Sequence, residues 1–542
     1  MSAHVDQFTH RMLPPKELWP EMPMGDLRYP ERLNCAAELL DTMVERGDGN
    51  RVALRFPGGR WSYRELLEHA NRVAHVLVKD LGIVSGNRVL LRGPNNPMMA
   101  ACWLAVLKAG GVVVCTMPLL RARELAYIIE KAKISLALCD SRFLHELEQA
   151  ASGARLLRTI VQFGSDAKGS LDTLALAKPA TFENVATAAD DVALIAFTSG
   201  TTGQAKGTMH FHRDVLAICD LFPRHILRPT RDDIFCGSPP LAFTYGLGGL
   251  LLFPMRVGAS TVLLEQATPP QLLQGIQDFR VTVCFTAPTA YRAMTTLCSD
   301  FDLSSLKKCV SAGEHLPATT FEKWRAATGL PIIDGIGSTE MLHMFISSSG
   351  DDIRAGSTGR VVPGYQARIV DAEGAEVPVG TIGNLAVRGP TGCRYLDDAD
   401  RQRAYVKNGW NLPGDSYRVD EEGYFWYQAR TDDLIVSSGY KISGPEVENA
   451  LLDHPSVAEC GVVGIPDEER GCIVKAFVVL RAGVAPTEAT MKELQEFVKS
   501  QIAPYKYPRS VEFVSSLPRT ETGKLQRYRL REMRASPATG AR

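Results

Sequence analysis

Short apolar runs alternate with amphipathic segments through most of the first 430 residues, and this alternation restricts the fold more than any other feature of the chain. Val89-Leu90-Leu91, Gly111–Cys115, Leu136–Cys139 and Ala193–Phe197 are short and rich in β-forming residues. Between them lie helix-like segments such as Ser62–Leu81, which puts Leu66, Leu67, Ala70, Val73 and Leu77 on one face. Alternation of this kind builds βαβ units around a mainly parallel sheet. The pattern then changes twice. Gly359 to Gly389 carries short strands with turn residues, such as Gln366–Val370 and Leu385–Arg388, and predicts a small β-rich subdomain. Beyond Arg430 come a hairpin-like stretch over Leu434–Ile442, a helix over Glu446–Leu452, strands over Glu459–Val463 and Val474–Leu480, and a helix over Met491–Ile502. That is a compact α+β unit of ordinary domain size. The expected domains are therefore residues 1–430 and 431–542.

The formal net charge is -1 with no basic block, so nucleic acid and anionic membranes lose their usual electrostatic footprint. Twelve cysteines are scattered without a CxxC pair or a zinc-spaced cluster, which fits reduced thiols in cytosol. His210-Phe211-His212 lacks a third ligand nearby in sequence and reads as structural or surface. Met1–Pro15 has no apolar run, so it is no secretion signal. Met98–Leu120 is apolar enough to be mistaken for a membrane span. Lys108 sits in its middle and Gly110-Gly111 breaks it, so it predicts a buried helix leading into a buried strand. The expectation is a soluble, cytoplasmic protein.

The strongest local signal is Thr198-Ser199-Gly200-Thr201-Thr202-Gly203-Gln204-Ala205-Lys206-Gly207, directly after the strand-like Leu194–Phe197. Glycines let a backbone turn tightly and bring its N–H groups close to oxyanions. Four hydroxyls and the Lys206 ammonium add donors and positive charge, which makes the loop a phosphate cradle in chemical terms. It is not a Walker A loop, because Gln204 and Ala205 separate the second glycine from the lysine. A flexible linker has similar composition, but a linker rarely follows a buried strand and ends in Lys-Gly.

This loop resembles the signature of the adenylate-forming enzymes, and matching segments recur in that family's order over about residues 51–527. They are Asp334-Gly335-Ile336-Gly337-Ser338-Thr339-Glu340, Gly356–Arg360, Gly414-Asp415 with Gly423-Tyr424-Phe425, Ala429–Asp433 and Pro518–Lys524. The resemblance implies an α/β fold. Its large N-terminal domain would have two α/β subdomains and a small β-barrel-like subdomain, followed by a small mobile α+β C-terminal domain. It implies that Thr198, Ser199, Gly200, Thr201, Thr202, Gly203 and Lys206 hold phosphates of ATP, and that Thr339 contacts the α-phosphate. By the same likeness Glu340 helps bind Mg²⁺, Asp334, Gly335 and Ile336 flank the nucleotide, and Asp415 with Arg430 binds the ribose. Taken singly, Asp415 reads as a turn cap and Arg430 as a surface partner of Asp432 or Asp433. Lys524 becomes the lysine that reaches the reacting carboxylate from the small domain, Asp432 the hinge, and Ser438 with Gly439 part of the coenzyme A tunnel.

Within the family, Ala242–Gly248, Ser338–His343, Met117–Arg121 and Ser437–Ile442 resemble the benzoate-type CoA ligases, and the chain as a whole the 2-aminobenzoate-CoA ligases. The acid pocket then falls at Phe243, Tyr245, Gly246, Ala312, Gly313, Gly337 and His343. Tyr245 and His343 offer flat walls and polar tips to a small aromatic acid, with core packing as the plain alternative. The implied reaction joins an aryl acid to coenzyme A through an acyl-adenylate, with ATP and Mg²⁺. A medium-chain or other aryl acyl-CoA synthetase, and an enzyme loading a carrier protein, are the alternatives. Neither nucleic acid nor membrane is an expected partner, and the sequence leaves room for a homodimer. Three positions depart from the family pattern: Ile336 replaces an aromatic residue, Asn384 a glutamate and Ala429 a glycine. None removes a charged catalytic group.

Overall fold

A computed structural model describes residues 1–153, 156–198, 205–431, 433–437, 440–467, 470–519 and 524–533. Two large sheets carry most of the chain. The first has six strands in the spatial order Thr159–Phe163, Leu136–Asp140, Arg88–Arg92, Val112–Thr116, Val192–Thr198 and Lys206–Phe211. Its neighbours run parallel except for the last pair, which is a hairpin. All four strands expected from apolar runs lie in this sheet. The second sheet has nine strands. Its parallel centre comprises Ile332–Gly337, Lys308–Ser311, Val283–Thr286, Ile234–Gly237, Ser260–Val262 and Val52–Phe56, with antiparallel strands at both edges.

Helices pack the two sheets into one core. Tyr63–His75 starts at a capping box in which Ser62 and Glu65 satisfy each other's backbone N–H groups, and it buries Leu66, Ala70 and Val73. Pro97–Lys108 is capped by Asn96, has proline at its first position and is buried from Met99 onward. Lys108 is neutralised there by Asp41. This is the buried helix, followed by the strand Val112–Thr116, that the charged and glycine-broken apolar stretch predicts. Among the described residues no helix is long and apolar enough to cross a membrane. Both helices share a single apolar cluster with His212–Phe222 and with side chains from each sheet, such as Val113, Leu194, Phe285 and Val310. All twelve cysteines are free thiols.

The third sheet is antiparallel and larger than the sequence predicts. Gln366–Val370 and Gly383–Arg388 are joined by Asp415–Val419 and Phe425–Arg430, with two short strands at the edge. The later strands mix buried and half-buried positions without strict alternation, so periodicity does not mark them. The small C-terminal domain has its own apolar core, including Ile435, Ile442, Val447, Leu451, Val474, Leu494 and Val498. It contains the hairpin Ile435–Ser437 with Tyr440–Ile442, helices Gly444–Leu452 and Glu488–Gln501, and a long hairpin of Val457–Asp467 with Gly471–Leu480. Ser510–Phe513 adds a parallel strand that the sequence does not announce, being four half-buried residues long.

Candidate active site

The hairpin of the first sheet closes with Thr198 opposite Lys206 and Phe197 opposite Gly207, so both ends of the glycine-rich turn are held by a ladder. Thr198 and Lys206 are half-buried. Ser199, Gly200, Thr201, Thr202 and Gly203 lie outside the described residues. In the second sheet, Asp334, Gly335, Ile336 and Gly337 form the end of Ile332–Gly337, with Ser311 opposite Asp334. A side chain at Gly337 would put its Cβ 2.6 Å from the His343 carbonyl oxygen, so the close return of the chain requires glycine. Ser338–Met341 then makes a turn that lies against the hairpin. His210 Nε2 donates to the Thr339 carbonyl at 2.8 Å. Glu340 is buried, and its Oε1 accepts from the Tyr395 hydroxyl at 2.6 Å. Tyr395 is itself bridged by backbone to Thr208 of the hairpin.

Asp415 and Arg430 face each other across adjacent strands, with Oδ2 and Nη1 3.1 Å apart. Arg430 also donates to the Pro413 carbonyl at 2.9 Å. Gly414 has φ +81°, and a Cβ there would sit 2.7 Å from Arg430 Nη2. Only glycine brings the two groups together. Asp433, a surface partner considered for Arg430, pairs with Arg531. Burial raises the Asp415 carboxyl, opposed by the positive charges of Arg430 and Lys524. Burial also lifts Asp334 well above the usual carboxylate range, opposed only by the neighbouring Ser311 hydroxyl and Gly335 N–H dipoles.

Lys524 enters this cleft from the small domain. It passes over Gly313, whose Cβ would lie 3.9 Å from Lys524 Cε. Its side chain is exposed to solvent, with the Gly313 backbone close on one side. Desolvation there still lowers its pKa, and Glu314 and Asp415 oppose the change. Burial raises Glu314, opposed by Lys524 and Arg519. Lys524 thus sits within electrostatic reach of Glu314 and Asp415, and Asp415 in turn of Glu340. Several side-chain contacts hold the small domain there, one of them the Ser443 hydroxyl donating to the Gln428 carbonyl. Glu459 takes Arg292 of the large domain at 3.0 Å and Arg519 of its own domain at 2.8 Å, and Asn449 meets His315 at 3.3 Å.

Beside the cleft lies an aromatic compartment. Phe243 precedes the short helix Thr244–Leu247, which continues through a π-helical turn at Gly248–Leu252. A Cβ on Gly248 would fall 2.4 Å from His343 Cδ2, so the helix packs directly on the imidazole. The Phe253, Phe222 and Tyr245 rings surround His343 at centroid distances of 4.5, 5.6 and 5.8 Å. Both His343 ring nitrogens are buried with no hydrogen-bond partner among the described residues. Burial pushes its pKa down to about 3, so the ring is neutral. The Tyr245 hydroxyl donates to the Thr286 and Val310 carbonyls, each at 3.2 Å. It therefore presents a ring face and not the polar tip the sequence promised. Gly246 and Ala312 are buried and Gly313 is exposed beside this compartment. Asp432, Ser438 and Gly439 lie outside the described residues. His210, Tyr395 and Glu459 went unpredicted as site residues. His210, three strand positions from Gly207, gave a signal as part of the His210-Phe211-His212 pair, read as structural or surface; the others have none.

Residues 41–394 match the AMP-binding enzymes, and residues 446–524 match the AMP-binding enzyme C-terminal domain. The chain belongs to this family. The benzoate–CoA ligase of Thauera aromatica is 35% identical over 93% of this chain and 97% of its own length. The 4-hydroxybenzoate–CoA/benzoate–CoA ligase of Rhodopseudomonas palustris is 35% identical over 92% and 94%. Among solved structures, an anthranilate CoA ligase in complex with anthranoyl-AMP superposes with a TM-score of 0.88 at 36% identity, covering 93% of this chain and 98% of that one. The resemblance to the benzoate-type CoA ligases holds across nearly the whole AMP-binding chain.

Proposed function

We propose that this AMP-binding enzyme is an ATP-dependent aryl-acid:CoA ligase acting on 2-aminobenzoate or a related benzoate. The carrying observation is the position of Lys524, which reaches from the small domain over Gly313 into the cleft of Asp415 and Glu314. In the first half-reaction the acid carboxylate attacks the α-phosphate of ATP and pyrophosphate leaves. Positioning and neutralisation of negative charge supply most of the rate in such a step. Thr198, Lys206 and the intervening turn hold the β- and γ-phosphates, Thr339 contacts the α-phosphate, and Asp334–Ile336, Asp415 and Arg430 hold the nucleoside. Lys524 neutralises the charge that gathers between carboxylate and α-phosphate. In the second half-reaction the coenzyme A thiol attacks the acyl carbonyl and AMP leaves. Lys524 must withdraw for this, which assigns Asp432 the hinge and Ser438-Gly439 the tunnel, with residues 431–542 moving as a unit.

The donor set fits magnesium. Glu340 has one carboxylate oxygen engaged by Tyr395. No group of three or more His, Cys, Asp or Glu side chains among the described residues forms a protein cage for a metal. Mg²⁺ is commonly held by one or two carboxylates together with substrate phosphates. Glu340 would hold it, and the bound ion would neutralise phosphate charge.

For the acid, a neutral imidazole without a protein partner has a lone pair to offer an amino N–H. Placed beside a carboxylate site, this favours an ortho-amino benzoate, the acid whose adenylate the solved anthranilate ligase binds. The test is a panel of 2-aminobenzoate, benzoate, hydroxybenzoates and a medium-chain fatty acid with ATP, Mg²⁺ and coenzyme A. Acid-dependent pyrophosphate release and thioester are expected with the first most of all. Preference for the fatty acid, or adenylate without thioester, rejects the reading.

A further inference from the structure

The turn Ser338–Met341 leads into Leu342, a fully buried non-glycine residue with φ +69°. Such backbone is strained and persists only where the surroundings over-determine it. Here four consecutive residues are each gripped by a different side chain. The Tyr405 hydroxyl meets Ser338 Oγ at 3.3 Å, His210 donates to the Thr339 carbonyl at 2.8 Å, Tyr395 donates to Glu340 Oε1 at 2.6 Å, and Thr391 donates to the Met341 carbonyl at 2.7 Å. The gripping residues are themselves fixed. Gln402 Oε1 accepts from the Tyr395 N–H at 2.9 Å, and Gln402 Nε2 donates to the Cys393 carbonyl at 2.9 Å. Arg394 pairs with Asp214, both fully buried, and its carbonyl accepts from Met209 N–H of the hairpin at 2.8 Å. Asp214 Oδ2 in turn lies 3.8 Å from His210 Nδ1.

We infer that His210, Thr391, Tyr395 and Tyr405 form a clamp that positions the Thr339-Glu340 turn against the phosphate hairpin, and that Tyr395 selects which Glu340 oxygen faces the metal-bound phosphates. The inference rests on the proposed roles of Thr339 and Glu340. Two parts of the protein must grip one polyphosphate, the hairpin through Lys206 and the turn through Thr339-Glu340. Their spacing is not set by one continuous element, since they belong to different sheets. His210 spans it from the hairpin strand itself, and Tyr395, bridged to Thr208, spans it from the next layer. With Oε1 occupied by the phenol, Glu340 keeps Oε2 for a cation. A charge-assisted bond of this kind also fixes the carboxylate plane. Tyr395 and His210 are thus positioning residues that touch no reacting atom.

Ordinary core packing predicts something different. It would lower thermal stability and both half-reactions together. The clamp predicts that Tyr395→Phe raises the Mg²⁺ concentration for half-maximal aryl-adenylate formation by about tenfold. Thioester formation from supplied aryl-adenylate should stay within about twofold and the melting temperature within a few degrees. Independently of turnover, calorimetric titration of ATP with and without Mg²⁺ should show that the metal-dependent gain in ATP affinity shrinks in Tyr395→Phe. His210→Leu should raise the KM for ATP, and His210→Gln, which keeps an N–H donor, should recover much of it. An unchanged magnesium gain in Tyr395→Phe, or equal losses in both half-reactions, overturns the clamp. A wild-type enzyme without acid-dependent pyrophosphate release would instead reject the ligase reading, and the calorimetric comparison would still decide the clamp.

Discussion

The role proposed for Lys524 needs its charge, yet the cleft that receives it lowers its pKa from the 10.5 of a free lysine. Docking the lysine therefore becomes easier as pH rises toward 10.5, because less ammonium has to be desolvated. The chemistry runs the other way, since a neutral amine cannot stabilise the reacting carboxylate and α-phosphate. Adenylation should fall on an alkaline limb placed below 10.5 in kcat/KM, which reports the free enzyme. The limb in kcat should lie higher, because bound phosphates restore the ammonium. The thioester half-reaction from supplied adenylate should lack it, and Lys524→Ala should abolish it together with nearly all adenylation. Coincident limbs in both half-reactions would remove Lys524 from the first. His343 poses the opposite case, a group with no charge to give at any working pH. Replacing it with phenylalanine keeps an aromatic ring against Gly248 and removes the lone pair. The proposed preference for 2-aminobenzoate over benzoate should then drop by about three- to tenfold in kcat/KM, the worth of one hydrogen bond. An unaltered ratio would make His343 a packing residue.

Among the elements, Asp432→Pro tests the proposed hinge, because proline fixes φ near -65° and forbids rotation about that bond. Asp432→Pro should leave adenylation within about twofold and block thioester formation, read by following pyrophosphate and thioester in the same sample. A normal overall rate would move the hinge elsewhere. Elements also show what sequence could and could not disclose. Leu66, Ala70 and Val73 repeat at helical spacing and are buried as that spacing requires. Val89–Leu91 and Ala193–Phe197 are legible because parallel strands buried on both faces read as continuous apolar runs. Asp415–Val419 and Phe425–Arg430 obey no such rule, and only their motif residues stand out. The site splits along the same line. Asp415, Arg430 and Lys524 sit in local motifs and are found in one cleft. Tyr395 and His210 matter through contacts 55 and 129 residues distant, which no local pattern encodes.

At the level of the whole molecule, the proposed mechanism holds the small domain over the cleft in one half-reaction and releases it in the next. Desolvating Lys524 opposes docking, so contacts elsewhere must offset that cost without preventing release. The Glu459 carboxylate, gripping Arg292 across the interface and Arg519 beside it, is suited to this. Arg519 itself lies five positions before Lys524 in the chain. Each partner is about a third exposed, and pairs of that kind contribute roughly 0–1 kcal/mol. A weak latch is what an alternating domain needs, because a ligand can shift an equilibrium only by its differential affinity for the two arrangements. Arg292→Ala should therefore slow adenylation by about two- to fivefold while leaving thioester formation from supplied aryl-adenylate unchanged or faster. Added salt should slow wild-type adenylation toward the variant's rate, since screening weakens exposed pairs, and should change the variant less. If Arg292→Ala slows both half-reactions alike, the pair serves folding and the domain is held over Gly313 by other means.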